Sequence, residues 1–128
     1  MKHVLLDTSF LVSCTQWKID FFTELHRICD FNFEVAILDR TMEELDNVIA
    51  KGGKEGLAAK LAKTILMTKR VVILPTTERK HVDKLLLEKA GEDYIVATQD
   101  LELKRLLKKK NQPVITIRQK AHLMLQGA

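Results

Sequence analysis

Cysteines, aromatic rings, glycine-rich loops and long apolar runs are all scarce or missing in this 128-residue chain. Each shortage excludes something. The two cysteines, Cys14 and Cys29, cannot build a disulfide framework or a four-cysteine zinc site. Their apolar, helix-like surroundings predict buried free thiols in a reducing compartment. One tryptophan, one tyrosine and five phenylalanines fall mostly within apolar patterns, where core packing is the default. They give little support for reading a nucleic acid strand by base stacking. No apolar run approaches the roughly 18–20 residues that span a bilayer, so no membrane association is expected. Met1-Lys2-His3 leads into a strand-like run that contains Asp7, which does not fit a signal peptide. A cytoplasmic location is the expectation. Neither Gly-x-Gly-x-x-Gly nor a Walker loop occurs, and Lys51-Gly52-Gly53-Lys54 is too short and follows a helix. His3, His26, His81 and His122 lack zinc-ligand spacing.

What is present is an ordinary globular composition: 46% hydrophobic and 30% charged residues, too apolar for a disordered chain. The length suits one domain over residues 1–128. The net charge of +4 hides a split. The first 50 residues carry 4 basic and 9 acidic side chains, and the remaining 78 carry 17 and 8.

Short apolar runs at 4–6, 35–38, 71–74, 94–97 and 114–117 read as strands covered on both faces. Between them lie stretches of helical period at 19–31, 41–50, 57–68, 78–90 and 101–110, and the chain closes with a short helix over 118–125. Thr41, with Glu44 three residues on, forms a capping-box pattern. Gly52-Gly53 marks a break. Leu57, Leu61, Ile65 and Leu66 form the expected apolar face of the 57–68 helix. Gly91 suits the cap after the 78–90 helix, and Asp100 suits the cap before the next one. The alternation predicts an α/β fold with a mainly parallel sheet and helices on both faces, a three-layer α/β/α arrangement. Ligands of such sheets bind beyond the carboxyl ends of the strands.

Acids gather at those ends. Asp7 follows the first strand and Asp100 the fourth. Glu43 and Glu44 open the helix after the second, and Asp83 lies early in the helix before the fourth. If the first and fourth strands are neighbours, Asp7, Glu44, Asp83 and Asp100 converge. Carboxylates pressed together repel, and a divalent cation removes that penalty. An all-oxygen set suits Mg²⁺ or Mn²⁺ over Zn²⁺, and the matching chemistry is phosphodiester hydrolysis by an activated water. Thr8, Ser9 and Thr98 stand beside these acids as accessory groups. Each acid alone has a plainer role. Asp100 serves equally as a helix cap, and Asp83 alone reads as a solvated helix acid. Asp7 sits among Leu5, Leu6, Phe10 and Leu11, where a buried acid needs partners or a metal.

Leu5-Leu6-Asp7-Thr8-Ser9-Phe10-Leu11 resembles the opening motif of the PIN-domain nucleases. Thr41-Met42-Glu43-Glu44-Leu45 resembles that family's second acid motif, with Glu44 at the matching position. Asp83 matches the third acid, and Tyr94-Ile95-Val96-Ala97-Thr98-Gln99-Asp100 the fourth. The resemblance covers essentially the whole chain, with the four motifs in order. It implies a five-stranded parallel sheet between helices and an Mg²⁺- or Mn²⁺-dependent endoribonuclease. Asp7, Glu44, Asp83 and Asp100 would be the catalytic metal ligands, with Ser9 and Thr98 accessory. Residues 97–105 look most like the archaeal and eukaryotic PIN nucleases of ribosomal RNA processing. The second relative is the ribonuclease toxin of toxin–antitoxin pairs. The chain is shorter than the eukaryotic processing nucleases and has too few cysteines for an added zinc-binding element. Implied partners are RNA (single-stranded or structured, with a ribosomal precursor as one candidate), a second copy in a homodimer, and an antitoxin or ribosome-assembly partner. A non-catalytic RNA-binding module of the same fold is the rival, and the presence of all four acids argues against it.

Basic residues supply candidate RNA contacts. Lys104, Arg105, Lys108, Lys109 and Lys110 cluster on and after the helix that Asp100 opens. Arg79 and Lys80 precede Asp83. Lys51, Lys54, Lys60, Lys63, Lys69 and Arg70 form a further set. Attraction to phosphates would be sequence-independent and salt-sensitive.

Overall fold

A computed structural model describes residues 1–77 and 81–127. The chain runs β1 (Lys2–Leu6), α1 (Thr8–Gln16), α2 (Phe21–Ile28), β2 (Phe33–Leu38), α3 (Asp39–Lys51), α4 (Gly53–Thr68), β3 (Val72–Leu74), α5 (Val82–Lys89), β4 (Tyr94–Ala97), α6 (Leu101–Lys109), β5 (Val114–Arg118) and β6 (His122–Gln126). The sheet has six strands in the order β3-β2-β1-β4-β5-β6. The first five are parallel and β6 is antiparallel to β5.

The order places β1 at the centre, with β2 on one side and β4 on the other. Chain progress reverses between β1 and β4, which makes their carboxyl ends the switch point where such sheets bind ligands. Register fixes the two ends together. Leu6 pairs with Ala97, and the Asp7 N–H donates to the Ala97 carbonyl at 2.9 Å.

Alternate strand residues feed two cores, as the two-residue period of a strand requires. Val4, Leu6, Val35, Ile37, Ile95 and Ile115 pack with residues of α1, α2, α3 and α4. Leu5, Ala36, Leu38, Val96 and Val114 pack with α5 and α6. The three layers expected from the sequence are present.

Four expectations change. The sheet gains a sixth strand, because residues 118–125 form a hairpin instead of a terminal helix. Gln119 and Lys120 both take φ of 54°, the handedness that matches strand twist in a tight hairpin. The Ala121 N–H closes that turn on the Arg118 carbonyl at 3.1 Å. Secondly, α1 begins directly after Asp7. Its buried Phe10, Leu11 and Val12 are consecutive, because the helix is covered by both the sheet and α4, and no one-sided period shows. Thirdly, α4 buries Gly56, Ala58, Ala59, Ala62 and Leu66. Leu57 and Leu61 are 72% and 51% exposed. Gly56 allows the close approach, since a Cβ there would stand 3.2 Å from the Val48 carbonyl oxygen of α3. Finally, α3 starts at Asp39 and Thr41 lies within it, fully buried. Thr41 therefore caps nothing. Among the described residues its hydroxyl has no hydrogen-bond partner.

No helix among the described residues is long and apolar enough to cross a membrane.

Candidate active site

The site is built on Asp7. The residue is only 4% exposed, held by the end of β1 and the start of α1. Oδ1 accepts the Thr8 N–H at 2.8 Å. Oδ2 accepts the Thr98 hydroxyl at 2.7 Å and the Ser9 hydroxyl at 3.1 Å. Burial pushes its pKa up, the three hydrogen bonds pull it back, and the charge of Asp100 pushes it up again. The net direction is upward. A buried acid whose donors do not repay its desolvation is the signature of a site that is incomplete by itself.

Asp100 leaves β4 at the same edge. Its side chain caps α6 by accepting the Leu103 N–H at 2.9 Å, so the cap and the site occupy one residue. Its own N–H donates to the Thr98 hydroxyl oxygen at 3.1 Å. Thr98 thus links Asp7 and Asp100 directly. Ser9 adds a second link, accepting the Gln99 N–H at 3.3 Å.

Glu44 approaches from α3, half-buried, and accepts the Thr8 hydroxyl at 2.6 Å. That bond spans 36 residues and ties the α1 N-terminus to α3. Asp83 approaches from the first turn of α5. Its pKa is raised by partial burial first, then by the charges of Asp7, Asp100 and Glu44, with His81 opposing. The four acids named from the sequence therefore come within electrostatic reach of one another. Glu43, their neighbour in sequence, is exposed.

The donor set tests whether a metal fits. Every group is a carboxylate or hydroxyl oxygen, which suits a hard divalent cation. Among the described residues, however, no three acids, histidines or cysteines stand close enough together to hold an ion directly. The two observations agree for Mg²⁺-like ions, which keep several waters and are commonly held through one or two carboxylates.

Two contributors were not singled out in the sequence. Gln99 accepts the Ile117 N–H through Oε1 at 2.9 Å, which fixes the β4–α6 turn against β5. Asp39 ends β2 as Asp7 ends β1. It accepts the Thr76 hydroxyl at 2.6 Å and the Thr76 N–H at 3.0 Å. These bonds, with that of the Arg40 N–H at 2.8 Å, hold its pKa below the usual carboxylate value. This clamp anchors the exit of β3 that leads towards Asp83. The signal was an acid directly after a strand, the same signal that marked Asp7.

The basic cluster of α6 divides. Arg105 is paired with Glu102, at 3.0 and 2.6 Å. Lys110 donates to the Leu87 and Ala90 carbonyls at 2.7 and 2.9 Å, closing the end of α5. Lys108 and Lys109 are exposed and Lys104 is half-buried. Arg79 and Lys80 lie outside the described residues.

The family model described as "PIN like domain" matches residues 4–120, which takes in Asp7, Glu44, Asp83 and Asp100. The chain belongs to the PIN-like domain family. Among curated PIN relatives it is similar to "Ribonuclease VapC4" of Methanocaldococcus jannaschii, at 34% identity over 99% of this chain and 98% of that one. It is also similar to "rRNA-processing protein fcf1" of Schizosaccharomyces pombe, at 31% identity over 84% of this chain. There it spans about half of the relative, 54%. The solved structure of the PIN domain endonuclease Utp24 superposes with a TM-score of 0.79 at 26% identity, covering 98% of this chain and 92% of that one. The PIN fold and family membership expected from the motifs are thereby established.

Proposed function

We propose that this PIN-like chain, acting as one nuclease domain, is a divalent-metal-dependent endoribonuclease that hydrolyses RNA phosphodiester bonds. The observation that carries this reading is the convergence of Asp7, Glu44, Asp83 and Asp100 at the β1–β4 switch point, where burial and acidic neighbours push the pKa values of Asp7 and Asp83 up. Asp7, Glu44, Asp83 and Asp100 would hold Mg²⁺ or Mn²⁺. Bound there, the ion supplies activation of a water and neutralisation of charge on the phosphodiester. The chain's own groups do the rest. Thr98 and Ser9 fix the orientation of the Asp7 carboxylate. Thr8 holds the Glu44 carboxylate against the start of α1. Asp83, whose pKa is raised by partial burial and by its acidic neighbours, would take a proton from the attacking water.

Among substrates, full-length similarity to a VapC ribonuclease supports the toxin reading over ribosomal RNA processing, the order opposite to that suggested by residues 97–105. The processing relative fcf1 is matched over about half its length. Processing stays as a second reading because the Utp24 domain superposes along nearly the whole chain.

The test is a circular RNA, which offers no ends. The purified protein is expected to linearise it in Mn²⁺ and to leave it intact in EDTA. Cleavage that needs a free end, or that survives EDTA, would exclude this function. Growth arrest on expression, relieved by a co-expressed neighbouring gene product, separates toxin from processing enzyme. Co-purification of ribosomal precursors reverses the choice.

A further inference from the structure

A groove of about 450 Å³ runs along the outer flank of α6, between that helix and the β5–β6 hairpin. It opens at Leu101, the residue after the site acid Asp100, and ends at Gln112, Val114 and Gln126. One wall carries Lys104 and Lys108, a helical turn apart, a rise of about 6 Å. Among the described residues, no acid lines the groove, and neither ammonium group is occupied by an ion pair or hydrogen bond. Arg105, the third cation of the wall, is neutralised by Glu102. Leu101 is 79% exposed and offers an apolar surface beside the lysines. Gln112 and Gln126 add amides that both donate and accept.

We propose that this groove binds the single-stranded RNA segment flanking the scissile phosphodiester, with Lys104 and Lys108 on successive phosphates. The proposal rests on the nuclease reading for its occupant and refines the basic cluster to two residues. Lys110 is committed to the end of α5 and leaves the track. A peptide joining the sheet fits less well. The free edge of β6 is occupied near its start, because Glu24 accepts the Leu123 N–H at 2.9 Å and Arg27 donates to the Leu123 carbonyl at 3.0 Å. That removes the template a strand-adding peptide needs.

The experiment is equilibrium binding of a fluorescent twelve-nucleotide single-stranded RNA in EDTA, across a salt series. The double variant Lys104→Gln/Lys108→Gln is compared with wild type and with Lys18→Gln/Lys120→Gln, a control that removes the same charge at two exposed positions outside the groove. The groove variant is expected to weaken binding about tenfold near 0.1 M salt. It should also lower the slope of log affinity against log salt by about 1.4, from roughly 0.7 per phosphate contact on a single strand. The control should shift neither by as much, and all three should melt alike. Equal shifts in both double variants, or none, would overturn the groove. So would an acidic peptide that binds wild type and is lost in the groove variant while RNA binding persists. Because no metal is present, the result stands apart from catalysis. Cleavage with an unaltered groove variant sinks the groove alone, and a binding shift without cleavage sinks the nuclease reading alone.

Discussion

At the scale of residues, the account turns on Asp7. Its apolar flanks in the sequence already announced a buried acid, and the structure adds the hydroxyls of Thr98 and Ser9 as its donors. Thr98 and Asp100 were legible for the same reason, a polar pair directly after an apolar strand. The Thr8–Glu44 bond was not, because it joins residues 36 apart, and no local pattern encodes such a pairing. Thr41 shows the opposite failure. Its spacing to Glu44 imitates a capping box, but Asp39 starts the helix earlier, and burial consumed the threonine. Charge on Asp7 is a cost to the fold, since burial outweighs its hydrogen bonds. Asp7→Asn, which removes the charge and keeps the shape, is therefore predicted to melt at or above the wild-type temperature in EDTA. Added Mn²⁺ should raise the wild-type melting temperature and leave the variant's unchanged. A variant that melts well below wild type in EDTA would show that the carboxylate is structural.

At the scale of elements, strands and most helices could be read from periodicity, and helix ends and buried faces could not. Lys18, Arg70 and Asn111 take positive φ, and the following N–H reaches back to Cys14, Leu66 and Leu107. These are helix stops normally signalled by glycine or asparagine, and only Asn111 carries that signal. The α4 face does not follow its leucines, because the small residues Gly56, Ala58, Ala59 and Ala62 are the buried ones. Leu57→Ala should consequently change stability by less than about 0.5 kcal/mol, as for an exposed surface site. Ala59→Leu should cost about 1–3 kcal/mol through overpacking. Urea titration of the two variants checks the order, and equal losses would contradict it. The β6 strand depends on Glu24, whose carboxylate is bound by Arg27 and the Leu123 N–H and drawn down to about 2. A depressed carboxylate stabilises above its unfolded pKa, here 4.5, and that contribution fades as pH falls through the folded value. Glu24→Gln is therefore predicted to be less stable at pH 7, by about 1 kcal/mol. It should also lose less stability than wild type between pH 4.5 and 2, read by thermal melting across that window. Parallel pH profiles would refute the clamp.

At the scale of the molecule, the acidic first half and basic second half are not two bodies. β1 and β4 lie side by side, so Asp7 and Glu44 from one half meet Asp83 and Asp100 from the other. The lysines of α6 lie further along the helix that Asp100 caps. The parallel α/β architecture was legible because each strand is apolar on both faces. The added antiparallel strand was not, because its hairpin turn lacks the glycine or asparagine that usually marks one. The central claim is that the acid pocket is a metal-dependent phosphodiesterase site, and one comparison tests it most directly. Wild type and Asp7→Asn, shown to have matching circular dichroism spectra, are assayed for RNA cleavage in Mn²⁺. The account predicts that cleavage by the variant falls at least about 100-fold, as expected when a group that positions catalytic charge is lost. Cleavage at the wild-type rate by the folded variant would contradict it.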